Sequence, residues 1–263
     1  MADYVMLRKS RNRISSILHV FLNILLGASS IIITVLSGSW VIGMILVFLS
    51  KWRIFAVRPR FWFLNLKSNL VDLITGASFV LIAYCYGGEI LPIHFILAAL
   101  YVLWLILFKP LTSETGTIIQ SLFAVFFGTT AAILLASQLD PIVLVLIEFI
   151  VGYSASRHLL AQKSEGNFTM LTLVFGLLFS EMALLSSAWS ILYPVKLISA
   201  TGIQIPQLSL VLTIASFSFF KIYYSIEKHD GKISRSDIAA PAIFGILTIA
   251  IIIIAFSNPI FNI

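Results

Sequence analysis

Acidic residues are scarce in this sequence: none stands between Asp3 and Asp72, and the 263 residues hold 11 acids against 17 lysines and arginines. Charged side chains of both signs make up 11% of the chain, where a soluble globular protein carries about 25%. That deficit excludes a water-soluble body, because too little polar surface remains to cover one. A hydrophobic fraction of 60% and a mean hydropathy of +1.05 make lipid the solvent. The net charge of +6 and a pI near 9.5 would suggest nucleic acid in a soluble protein. Here most basic residues flank apolar runs, so no nucleic-acid partner is expected.

Cysteine is almost missing too. Cys85 is alone and lies inside an apolar segment, which excludes an intrachain disulfide framework and a thiolate metal site. No His or Cys pair has metal-ligand spacing, and no metal or cofactor is expected. The chain has no GxxxxGK[ST] phosphate loop, no HExxH, no GxSxG and no Asp-rich pair that could hold magnesium on a diphosphate. Lys221 stands near the end of its apolar run, so no mid-span lysine is placed to carry retinal as a Schiff base. No repeat of 20–50 residues is visible.

What the sequence does have is apolar length. A crossing of the hydrocarbon core takes about 20 predominantly apolar residues. The first stretch, Ile14 to Ser50, is too long for one crossing and must fold back, with Leu36-Ser37-Gly38-Ser39 as the turn. This yields one full span and a short second one, or an intramembrane hairpin in place of two crossings. Basic residues precede this stretch, but no small-residue cleavage site follows, so it is expected to stay as an anchor. Further spans are expected at about 69–87, 91–108, 117–138, 141–162, 168–192, 207–225 and 239–257. Asp140-Pro141 and Ser236-Asp237 supply helix starts. The expectation is an all-α, polytopic transmembrane bundle of about nine spans, one domain over residues 1–263 with no soluble domain attached.

Charge orients it. Lys and Arg concentrate in short cytoplasmic loops. With the N-terminus inside, all but Lys196 of the 17 lysines and arginines fall on the inner side. The Asn167-Phe168-Thr169 sequon then falls inside and is expected to be accidental. The connection 51–68 holds Lys51, Arg53, Arg58, Arg60 and Lys67 interleaved with Trp52, Phe55, Phe61, Trp62 and Phe63. Such a mixture suits the headgroup layer, with rings at the boundary and cations on phosphates. Anionic headgroups are therefore the expected lipid partners.

Ionisable residues at membrane depth are costly and mark candidate sites. Two acids qualify, Glu148 and Glu181, at nearly matching depth on consecutive antiparallel helices. They are expected either to share an interface or cavity, as a proton-coupled carrier would use them, or to act as interhelical hydrogen-bonding glue. His19 and Asn23 stand one turn apart with Gly27 beyond them, a polar and small face expected to point inward. His94 sits near a span end. Asp72, three residues after Asn69, reads as a helix-start acid, and Arg157-His158 as an interfacial anchor. Ala124, Gly128, Ala132 and Ala136 form a small-residue stripe, with Gly152/Ser156 and Gly176/Ser180 repeating the spacing; these helices are expected to pack tightly.

The functional expectation is a carrier, channel or lipid-handling protein of the cytoplasmic membrane for a small or amphipathic ligand, with no catalytic residues assigned. Two alternatives stay open. One is a non-catalytic subunit of a larger membrane assembly with protein partners. The other is an enzyme acting on lipid, with Arg58, Arg60 or Arg157 on phosphate and Asp72 or His158 as acid and base.

Overall fold

The computed structural model describes residues 2–161, 168–188, 191–195, 203–228 and 235–256. Its helices are α1 (Ala2–Ser37), α2 (Trp40–Leu49), α3 (Trp62–Ser68), α4 (Leu70–Cys85), α5 (Pro92–Leu103), α6 (Glu114–Leu134), α7 (Pro141–Leu160), α8 (Phe168–Ala188), α9 (Gln207–Lys228) and α10 (Arg235–Phe256). The all-α expectation holds apart from one small addition: β1 (Leu192–Val195) pairs antiparallel with β2 (Ile203–Pro206). Tyr193, Val195, Ile203 and Ile205 give these short stretches their β preference.

Among the described residues an apolar helical segment lies near each expected position, but the segments are unequal and do not establish nine crossings. Six are long and apolar enough to cross a membrane, and the bent pair Pro59–Ser68 with Leu70–Cys85 could make a seventh. The chain is therefore a multi-pass membrane protein by length and composition, with fewer full-length spans than expected. α2, with 10 residues, covers about 15 Å, half of a hydrocarbon core. Pro92–Phe108 is also short, and it ends in a π-type turn in which the Lys109 amide reaches the Trp104 carbonyl at 2.8 Å.

The ends of these helices follow local chemistry. Gly38 turns the chain between α1 and α2 with φ of 60°, a conformation that costs a side-chain-bearing residue. Ser39 then caps α2 by accepting from the Val41 amide. Asp140 Oδ1 accepts from the Ile142 amide at 2.8 Å, with Pro141 as the first helical residue. Ser113 accepts from the Gly116 amide and starts α6 at Glu114, earlier than the apolar run alone suggests. α3 and α4 meet at Asn69 with a bend of 67°.

The helices gather into two compact units. The first comprises residues 1–62 and 79–111. In it α2 closes on α1 where Gly43 faces Thr34 and Ser30, and α5 closes on α1 where a Cβ on Gly27 would stand 2.7 Å from Val102. Phe79 and Tyr101 stack at 5.2 Å.

The second unit comprises residues 63–78 and 112–263. Small residues set its centre as expected: Gly128 lies against Val151, Gly152 against Phe179 and Gly176 against Phe149. α9 joins through Phe175, whose ring is 4.9 Å from Phe219 and 5.7 Å from Phe220. α10 packs on α9, with Gly245 against Ser218 and Phe217 beside Phe244.

Candidate functional site

The α6–α7 interface of the second unit is apolar in outline but carries a line of polar side chains. Thr117, Gln120, Ser121 and Thr129 recur along the buried face of α6 at helical spacing. Facing them, α7 offers His158, the Ala155 carbonyl and Glu148. His158 Nε2 and Gln120 Oε1 are 2.7 Å apart, and Asp72 of α4 lies near enough for its charge to act on the ring. Ser121 donates to the Ala155 carbonyl at 3.0 Å. Two to three turns further along, Thr129 donates to Glu148 Oε2, also at 3.0 Å. Beside Thr129, Gly128 packs closely on Val151, whose side chain would lie 2.9 Å from an added Cβ.

Glu148 is the extreme group of this line. It is 0% exposed, and its Oε1 has no hydrogen-bond partner among the described residues. A carboxyl in such a place is costly to bury. Its single donor, Thr129, satisfies half of it.

Glu181 does not join it. α8 presents Phe175, Gly176, Phe179, Ser180 and Ala183 to its neighbours, and Ser180 donates to the Val145 carbonyl at 3.2 Å. Glu181 is one residue, about 100° of helix, past Ser180 and lies exposed. Matching depth is thus not matching face, and the structure does not bring the two carboxyls together.

His19 and Asn23 also depart from expectation. Asn23 Nδ2 lies 2.9 Å from His19 Nδ1, a local pair on an exposed part of α1; Gly27 alone of this face is buried. His94 is a structural link: its Nδ1 accepts from the Leu91 amide at 2.9 Å and its Nε2 faces the Ala83 carbonyl at 3.3 Å. That ties the start of α5 to the end of α4.

In the 51–67 connection Arg53, Arg58 and Arg60 are exposed with Trp52, Phe55, Phe61, Trp62 and Phe63. Arg60 lies 4.6 Å from the Phe61 ring centre and Lys67 4.4 Å from that of Phe63. Lys51 differs: at 6% exposed it is part of the packed chain and does not present its charge as the three arginines do.

One feature is missing from the sequence reading altogether. A cavity of about 150 Å³ lies among Ile133 of α6, Met182, Leu185 and Ser186 of α8, Ile191, Gln207, Leu208 and Val211 of α9, and Ile253 of α10. Its walls are apolar except for Ser186 and Gln207. The Gln207 amide reaches the Ile252 carbonyl at 3.4 Å, closing one side. Leu185 and Ile253, both strongly exposed, flank it on the outside of two long apolar helices. No residue in the cavity is unusual for its helix, and only the turn at Ile191 and the start of α9 at Gln207 could have hinted at it.

Among the described residues no three His, Cys, Asp or Glu side chains come together as a metal site would require. Comparison of the chain with protein-family models, with curated proteins and with solved structures gave no match.

Proposed function

We propose that this protein takes up a small or amphipathic ligand from the lipid phase of the cytoplasmic membrane, as a carrier or lipid-handling protein. The observation that supports this reading is the cavity between α8, α9 and α10, because exposed Leu185 and Ile253 at its edge make its mouth a lateral one. What reaches such a mouth is dissolved among acyl chains. A largely apolar cavity of about 150 Å³ has room for a molecule of roughly benzene size, so it accommodates a ring or the end of an alkyl chain while the rest of the ligand stays in the bilayer. Ser186 and Gln207 offer a hydroxyl and an amide to a polar group at that end. Glu148, Thr129 and the polar line on α6 and α7 are the groups we assign to proton or ligand coupling, with Glu148 as the principal one.

The topology in this proposal has nine apolar segments with the N-terminus and the 51–68 connection on the cytoplasmic side. It rests on the distribution of Lys and Arg. α1 and α2 form a hairpin turning at Gly38. Because α2 is short, the return is completed by Trp52 and Phe55, which seat the arginines at the membrane boundary.

The experiment is photolabelling in proteoliposomes with a fatty acid carrying a terminal diazirine, the adducts mapped by mass spectrometry. Adducts concentrated on Met182, Leu208 and Val211, and lost when Leu208→Phe and Val211→Phe fill the space, are the expected result. Labelling spread evenly over exposed Ile142, Leu146 and Ile246, with no dependence on the filling pair, would reject the reading.

A further inference from the structure

Glu181 is the anomaly that the ligand reading leaves unused. Within the six candidate spans, the other acids are either at the first residue of the span, as Glu114 and Asp237 are, or buried, as Glu148 is. Glu181 is exposed and lies twelve residues past the start of the span Thr169–Ser186. That is about 18 Å from one end and about 7.5 Å from the other. Helical side chains lean toward the N-terminus of their helix, so its carboxyl leans away from the nearer boundary, toward Leu177 and Leu178. Leu184 and Leu185 stand between it and that boundary, both more than half exposed. A lysine can snorkel along such a face; the glutamate arm is shorter and leans inward. Acyl chains are a poor cover for this group in any protonation state.

The residues around Glu181 have the pattern of a helix-packing seam. Met170, Val174, Leu177, Glu181 and Leu184 are all exposed and are separated by four, three, four and three residues. This spacing keeps the five on one face of the helix, where a neighbouring helix would lie along them. Leu173, Leu178 and Leu185 flank the seam and are exposed as well. The opposite face of α8 is already occupied by α7 and by the rings of α9. An apolar seam with one acid inside it specifies depth and partner, as single polar positions do in coiled coils.

We propose that this face of α8 is the docking surface for a transmembrane helix of a different protein, and that the helix carries a lysine or arginine at the depth of Glu181. The Glu181 carboxyl selects this occupant. A second copy related by a two-fold axis along the membrane normal would set Glu181 against Glu181, like against like. A cationic helix meets the carboxyl with an ion pair and covers the leucines at the same time. The seam shares Leu185 with the mouth of the cavity, but Glu181 is not among the residues that line it.

The test uses the full chain in phosphatidylcholine vesicles and two dansyl-labelled, leucine-rich transmembrane peptides that differ at one position, Lys or Leu at the depth of Glu181. Energy transfer from the protein's tryptophans reports association. The Lys peptide is expected to bind at least tenfold more tightly than the Leu peptide. Glu181→Leu, which adds apolar surface at an exposed position and so preserves the fold, is expected to erase the difference. Equal binding of both peptides, or a Lys preference that survives Glu181→Leu, overturns the proposal. So does association between donor-labelled and acceptor-labelled copies of the protein that Glu181→Leu abolishes, because the seam then belongs to a second copy.

Discussion

At the scale of single residues, Glu148 and Gly152 make opposite demands. Glu148 receives one hydrogen bond from Thr129, and interhelical bonds of this kind are worth only about 0.6 kcal/mol on average in a membrane. Glu148→Gln keeps an oxygen that can accept from Thr129, so folded yield and the melting midpoint are expected to stay unchanged. Proton entry into pyranine-loaded proteoliposomes under a potassium diffusion potential is expected to fall to the level of empty vesicles. Loss of folded protein in step with proton entry would assign the residue to packing alone. Gly152 has no room at all: a Cβ there would lie 2.6 Å from the Phe179 ring. Gly152→Ala is expected to destabilise the second unit by about 1–3 kcal/mol, read as a lower midpoint in a detergent thermal melt, whereas Ala124→Gly, which adds no volume, leaves proton entry intact. Both residues could be picked from the sequence, one as an acid in an apolar run and the other from its small-residue spacing. The face on which Glu181 lies could not, because apolar residues surround α8 on every side and periodicity ranks none of them.

Individual elements were legible to the extent that their ends carry capping chemistry. Asp140-Pro141 and the turn at Gly38 are visible as motifs, and both stand where the sequence places them. Ser113 precedes the apolar run by several residues, so counting apolar residues alone starts α6 too late. β1 and β2 are too short to show a period, although only seven residues separate them. Length was legible as well: α2 is short, as expected, and Pro92–Phe108 nearly fills the expected 91–108 while staying shorter than the long apolar helices. The α1–α2 hairpin provides the element-scale prediction. Gly38→Val forces a branched residue into a left-handed conformation, at a cost of about 1–2 kcal/mol. In a Cys85→Ser background, single cysteines at Gly38 and Arg53 are expected to react with a membrane-impermeant maleimide from opposite sides of right-side-out vesicles. Labelling of both from the same side would show that α2 does not return the chain across the bilayer.

The molecule as a whole sorts its charge more strictly than its contacts. Its basic residues cluster in the N-terminus and in the short connections, while the long helices are almost free of them. On the proposed topology such sorting orients the protein during insertion and sets these cations where anionic headgroups are expected to collect. Each lysine or arginine near an anionic surface contributes about 1 kcal/mol, so Arg53, Arg58 and Arg60, all exposed, are expected to hold phosphatidylglycerol far better than Lys51, which is buried. Replacing the three arginines by glutamine is expected to remove retained phosphatidylglycerol from native mass spectra and to lower the thermal stabilisation that this lipid gives over phosphatidylcholine. Lys51→Gln instead disturbs packing and lowers the midpoint equally in both lipids. If the arginine variant retained the lipid in full, the aromatic rings alone would account for the seating of this connection. The cations would then serve only to orient the chain as it inserts.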